Sequence, residues 1–391
     1  MTPPTTDDGL LGLLRSPLTG GPLREVAPSL LDDGETLWPV LDGIPYLRLG
    51  RDELRGAAVR ALQRQDAEDA LALLLADRKD ETIPPADPES VRRALSAPTA
   101  RQAMTELGYG SLAEYFLHRW SHPSYLSGLA LLESHSAAGE SLFEVACGAG
   151  HFLRPWLLAG GRALGGDTVF SHLWLSRRFT APDARLVCFD AEGPFPFADG
   201  AASLTFSNDS FHYFRRKAHV FAELQRISAG GRVLLGHVHN AAQRNFSPGE
   251  PLPIEEYQSM LQPAVAYDDA ELARSALEGR AARPATVEDL SPAAAAAFVC
   301  GPAAVGEGPA LVLPPAGTAL DVNPLLSPAG PRWPNQRFEE EFARSWVYLS
   351  AMRYPPKAII EAAARGEFSA EAEIEGLCRK RTLLNLPERW L

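Results

Sequence analysis

The chain has 391 residues, 46% of them hydrophobic and 22% charged, the composition of a folded globular protein rather than a disordered one. At roughly 150 residues per domain it has room for two or three domains. Its 37 basic residues against 49 acidic ones leave a formal charge of −12, the wrong sign for a surface that tracks nucleic-acid phosphates.

The opening, MTPPTTDDGLLGLLRSP, carries two acids where a signal peptide needs basic residues, and no run approaches the ~20 apolar residues of a membrane span. A cytoplasmic protein without a membrane partner is expected. Four cysteines, Cys147, Cys188, Cys300 and Cys378, form no C-x-x-C pair, so no zinc ribbon, disulfide framework or other metal centre is expected. Residues 10–49 read as a short helix, a Pro/Gly turn and two short strands around Asp42-Gly43, a turn dipeptide. From Asp52 to about Leu107 the pattern is helical, with AEDALALLLADRK (67–79) amphipathic and Asp87-Pro88-Glu89 a cap, first-turn proline and early acid. Residues 109–132 are aromatic-rich and helical on both sides of Pro123.

The period then changes. SLFEVACGAGHF, ARLVCFDA, SLTFSN and GRVLLGHVH are strand-length apolar runs separated by helix-length segments, the pattern of βαβ units and a parallel sheet covered on both faces. The fold class is therefore α/β, a Rossmann-like sheet with helices on both faces, a small N-terminal α+β domain and a C-terminal elaboration. Beyond it, AAFVCGP, ALVLPP and TALDVNPLL read as late antiparallel strands beside the parallel sheet. Helices are expected over 337–354, PPKAIIEAAARGE and SAEAEIEGLCRKRTLLNL, with CRKR a solvated basic face. The domain boundaries follow: 1–50, 51–132, 133–240 and 241–391.

In Glu144-Val145-Ala146-Cys147-Gly148-Ala149-Gly150-His151 a strand ends in small residues before a helix begins. Gly148 and Gly150 let the backbone approach a ligand at the carboxyl end of a strand, where open α/β sheets bind cofactors. Asp167 ends the next strand and suits ribose hydroxyls. Asp190 ends the third, placed to accept from an adenine amino group, with the Ala191 N–H facing a ring nitrogen. A nicotinamide site fits less well, because G-x-G-x-x-G is not met at 146–151.

Together EVACGAG, the GGD closing the second strand, DAEGPFPFADGAASLTFSNDSFHYF and ELQRISAGGRVLL resemble the class I S-adenosylmethionine-dependent methyltransferases. The likeness is to the ubiquinone/menaquinone-biosynthesis type and its small-molecule relatives, over roughly residues 140–240. Ala146 stands where that family has the first glycine of its loop, and GGDTVFSHLWL replaces the commoner G-x-D-x-S. The resemblance implies S-adenosylmethionine as cofactor, bound by Tyr115, Arg119, Glu144, Ala146, Gly148, Gly150, Asp167, Asp190, Ala191 and Asn208. It also implies a small-molecule acceptor near Asp209 and Trp120. SPLTGGPL with LWPVLDGIPYL resembles the zinc-ribbon-like activator domain of methyltransferases, but the first ligand pair falls on Ser16 and Thr19, and residues 31–36 hold no cysteine or histidine. It reads as a metal-free structural or dimer-forming module.

Methyl transfer needs alignment and, for many acceptors, a proton acceptor. His212, after the fourth strand, and His239, ending the fifth, are the candidate bases. His151 is expected to cap or pack its helix, and His237 to face away from His239. The histidines favour oxygen as the methylated atom, in a small molecule of bacterial specialised metabolism. The alternative is an S-adenosylmethionine-binding protein that catalyses another reaction or serves as a non-catalytic subunit.

Overall fold

The computed structural model describes residues 8–79, 85–244, 249–304, 307–346, 348–367 and 371–391; the first seven residues of the N-terminal segment read for a signal peptide lie outside them. A short helix, Asp8–Leu11, precedes an antiparallel meander of β1 (Arg24–Ala27), β2 (Leu30–Asp32), β3 (Leu37–Leu41) and β4 (Ile44–Pro45). Asp42 and Gly43 join the last two at φ 50° and 70°, the two left-handed positions of a tight hairpin. Just beyond, the Leu47 N–H donates to the Cys188 carbonyl at 2.7 Å. This bond fastens the meander to the edge of the main sheet. Leu31, Trp38, Val40 and Leu47 then share one core with Phe143, Phe189 and Phe197.

Four helices follow, Asp52–Gln63, Ala67–Ala76, Pro88–Leu95 and Ala100–Glu106. The Asp87 carboxylate accepts from the Ser90 N–H with Pro88 in the first turn, as the sequence pattern predicts. Next come Ser111–His118, a 3-10 turn Arg119–Ser121 and Pro123–His135. The break falls at Pro123, where His122 Nδ1 accepts the Ser124 N–H at 3.1 Å.

The main sheet holds β5 (Ser141–Val145), β6 (Arg162–Asp167), β7 (Arg185–Cys188), β8 (Leu204–Asn208), β9 (Arg232–His239), β10 (Val265–Asp268) and β11 (Ala295–Cys300), ordered β10-β11-β9-β8-β5-β6-β7. β5 to β9 are mutually parallel, and β11 runs antiparallel to both β9 and β10. Strand order reverses between β5 and β8, which opens a crevice at their carboxyl ends. The helix Pro123–His135 covers β9 and packs on the helix Asp269–Glu278, which lies against β10 and β11. No helix among the described residues is long and apolar enough to cross a membrane.

Several expectations change. AAFVCGP forms β11, antiparallel to β9, as its pattern predicts, whereas β10 beyond it gives no sequence signal, because VAYD is too short to show a period. ALVLPP forms no strand, its prolines lacking the N–H that a ladder requires. TALDVNPLL yields only β12 (Asp321–Val322) and β13 (Leu326–Ser327), paired in small ribbons with β15 (Leu383–Leu384) and β14 (Gly330–Pro331), away from the main sheet. The helix read over 337–354 is Gln336–Phe342 followed by a 3-10 turn at Leu349–Ala351. Arg381 of CRKR is buried, donating from Nε to the Trp120 carbonyl at 3.0 Å, so this basic cluster is not wholly a solvated face.

Candidate active site

Where β5 ends, Ala146, Gly148 and Gly150 take φ 55°, 54° and 79°, so every second residue of the loop is left-handed. A Cβ on Gly150 would lie 2.2 Å from Ser176 Oγ, which leaves glycine as the side chain that fits. The Gly148 N–H donates to Asp167 Oδ2 at 2.9 Å, tying the loop to the tip of β6. Asp167 also accepts the Val169 N–H at 2.9 Å and faces His172 Nδ1 at 3.2 Å. Burial alone would raise its pKa, but His172 and the two N–H donors hold it below the usual carboxylate value. Glu144 is buried, Oε2 has no partner among the described residues, and burial pushes its pKa well up. At the end of β7, the Asp190 carboxylate accepts the Glu192 N–H at 2.9 Å, beside buried Ala191. Three acids thus stand near the carboxyl ends of three adjacent strands.

A second cluster centres on Asp209, one residue past β8. Its Oδ2 accepts from Tyr115 Oη at 2.6 Å, Arg119 at 3.0 Å and Ser124 Oγ at 3.3 Å. Its Oδ1 faces Nε2 of His237 and of His239, each at 3.9 Å. His239 stacks on His212, centroids 3.7 Å apart and planes 11° from parallel. His237 Nδ1 meets Asp269 Oδ2 at 2.7 Å. Burial opposes charge on Asp209, yet His237, Arg119 and His212 bring its pKa to about 2. For His237 burial works downward, and Asp269 and Asp209 overcome it, to about 9. His212 falls to about 3 through burial and the neighbouring His239, and His239 to about 4 through burial and the neighbouring His237.

Residues 143–235 match the family model described as a methyltransferase domain, on the same strands whose carboxyl ends carry both clusters. Residues 143–235 therefore carry an S-adenosylmethionine-dependent methyltransferase domain. Similar solved structures include a Bacillus halodurans methyltransferase at 21% identity, covering 36% of this chain and 68% of that one with TM-score 0.31. A Thermotoga maritima S-adenosylmethionine-dependent methyltransferase matches at 14% identity over 50% and 95% of the two chains, TM-score 0.36. A chain in the complex of the Haloferax volcanii Trm112 methyltransferase activator with a methyltransferase matches at 16% identity over 53% and 99%, TM-score 0.37. No curated protein matches the chain.

The residues fit the methyl donor. Glu144 presents a buried oxygen without a partner, the loop at 146–150 leaves no side chain beyond Cβ on its left-handed positions, and Asp167 and Asp190 follow on the neighbouring strands. The structure brings Tyr115, Arg119, Asp209, His212 and His239 into one cluster of the methyltransferase. Asn208 lies beneath it, Nδ2 donating to the Ser124 carbonyl at 3.1 Å and Oδ1 unpartnered. Trp120 is placed apart, its ring packed on His151, Tyr125 and Trp390, which is a core position rather than an acceptor wall. His151 packs as expected, Nε2 meeting the Phe116 carbonyl at 2.9 Å.

His237 does not face away from His239; their ring centroids are 5.1 Å apart. Residues two apart on a regular strand share a face, so alternation argues against the expectation. A bulge then re-aims the ring: Phe298 pairs with Leu235 but Ala296 with Val238, and His237 takes φ 47°. Asp269 was also missed by sequence reasoning. Its available signal is a second acid after Asp268, where β10 meets a helix.

Proposed function

We propose that this methyltransferase acts on an oxygen of a small molecule held against Asp209, His212 and His239. One observation carries the reading: an anionic carboxylate ringed by three imidazoles at the carboxyl ends of β8 and β9, next to the glycine loop on β5. When bound, S-adenosylmethionine supplies a methyl group on a sulfonium, whose transfer neutralises charge. The chain therefore needs alignment and a proton acceptor more than an oxyanion hole, and His212 and His239 are the imidazoles in reach.

A roof supports the small size of the acceptor. Phe342 stacks on Tyr115, centroids 5.9 Å apart, and Trp346 meets His122 edge-on at 4.7 Å. We read the N-terminal meander as the zinc-ribbon-like module without its metal. In the place of the first ligand pair, Ser16 Oγ donates to Asp33 at 2.5 Å and accepts from the Leu18 and Thr19 N–H groups.

Calorimetry with S-adenosylmethionine and S-adenosylhomocysteine tests the cofactor assignment. Asp190→Ala should weaken binding at least tenfold, and Gly148→Arg should abolish it, since φ is +54° and Phe116 lies 3.5 Å from where a Cβ would stand. Unchanged affinity in both variants would sink the assignment.

A further inference from the structure

Asp209, His212 and His239 have a property that acid–base work does not require. One donor atom from each lies within 4.8 Å of the others. The 3.9 Å from Asp209 Oδ1 to His239 Nε2 is too long for a hydrogen bond. It is shorter than the ~4.1 Å of two metal–ligand bonds laid end to end, and longer than the ~3.4 Å that tetrahedral angles give. His212 is completely buried and neither ring nitrogen has a partner among the described residues, an arrangement that native proteins ordinarily avoid unless the group has something to bind.

The surroundings suit a cation. Tyr115, Arg119 and Ser124 all donate to Asp209 Oδ2, which fixes the carboxylate and aims Oδ1 at the imidazoles. Two nearby positive charges are already matched, Arg119 by Oδ2 and His237 by Asp269, and the Lys217 ammonium donates to the Phe214 carbonyl. We propose that Asp209, His212 and His239 bind a divalent first-row transition-metal ion. The proposal rests on the reading that the acceptor is methylated at this cluster.

Two imidazoles and one carboxylate are a borderline N/O donor set that leaves open coordination positions, and an acceptor hydroxyl fills one. With the ion present, His212 and His239 serve as ligands, and the proton of the metal-acidified hydroxyl leaves to water. Without it, one imidazole takes that proton. The parallel stack of the two rings, centroids 3.7 Å apart and 11° between planes, puts their lone pairs in two separate parallel planes, and one ion cannot lie in both. Loading therefore splays the rings.

The test uses the full chain stripped with EDTA and titrated with Zn²⁺ and with Co²⁺, followed by calorimetry and visible absorption. One ion per chain is expected, with a Co²⁺ ligand-field band, and His212→Ala and His239→Gln should each weaken binding at least tenfold. Asp190→Ala should leave it unchanged. No stoichiometric ion, or affinity unaltered in both histidine variants, would overturn the metal site, with circular dichroism confirming that each variant is folded. Turnover that persists in EDTA without bound ion defeats the metal and leaves methylation standing. Ion binding without any S-adenosylmethionine binding defeats the methylation reading instead.

Discussion

Replacing Asp209 by Asn keeps the shape of the side chain and removes its charge. Arg119 is 7% exposed at its side chain and Asp209 15%, so the guanidinium would lose its counter-ion inside the protein. Breaking a buried pair from one side costs about 3–5 kcal/mol. Arg119 also lies 5.0 Å over the Tyr115 ring, a contact worth about 0.5–2 kcal/mol that survives, and the amide oxygen still accepts. We therefore expect Asp209→Asn to cost about 2–4 kcal/mol. Tyr115→Phe removes one hydrogen bond to a charged group and should cost about 1.5–3 kcal/mol. The decisive assay is a double-mutant cycle with Arg119→Met, by urea unfolding in EDTA with a constant denaturant slope. If the pair is what holds both groups, the double variant should be more stable than the two single costs predict, by about 2 kcal/mol. Costs that add to within ~0.5 kcal/mol would refute the reasoning.

Ser16→Ala should destabilise the N-terminal module by about 1–3 kcal/mol, since two backbone N–H groups and the Asp33 carboxylate lose a partner; Trp38, whose Nε1 donates to the same carboxylate at 3.1 Å, should report the change in fluorescence. Glu114 gives a pH signature. The His118 hydrogen bond lowers its pKa, burial opposes, and Arg101 adds to the lowering, to about 2 from an ordinary 4.5. A folded value below the unfolded one stabilises fully above about pH 4.5 and is lost as pH falls towards 2. The gap between wild type and Glu114→Gln should therefore be roughly 1–2 kcal/mol at pH 7, after solvent screening of half-exposed Arg101, and close in acid; a pH-independent gap would contradict it.

How far the fold can be read from the residues depends on where their spacing reports packing. β5 to β9 are short apolar runs because both faces of the sheet are covered, and the Pro88 and Pro123 breaks follow from missing donors. β10 is four residues long and carries no period, and the strands after residue 310 are too short to have one. For the site, Glu144, Gly148, Gly150, Asp167 and Asp190 mark strand ends, which a linear pattern records. The Asp209 cluster assembles Tyr115 and Arg119 with residues near 209, 239 and 269, and only the sheet order brings these together. Trp120 looked like a ligand contact because it shares a run with Tyr115 and Arg119; a helix ending at His118 and a 3-10 turn send its ring into the core instead.

Backbone strain tells the same story by an independent route. Ala146, Asp209 and His237 have φ of 55°, 57° and 47°, values that cost a side-chain-bearing residue about 1–2 kcal/mol each. They stand at the carboxyl end of β5, just past β8 and inside the bulge of β9, which are the three neighbouring strands that form the crevice. Glycine would relieve each position, but at 209 and 237 it would delete the carboxylate and the imidazole that face each other at 3.9 Å. The Asp269 hydrogen bond at 2.7 Å and the three donors on Asp209 Oδ2 offset the strain at those two positions. Left-handed residues elsewhere, such as Asp42, Ala229 and Gln262, close a hairpin or end a helix; at Asp209 and His237 the same strain instead holds a carboxylate and an imidazole in place at the crevice, as strain at functional sites does.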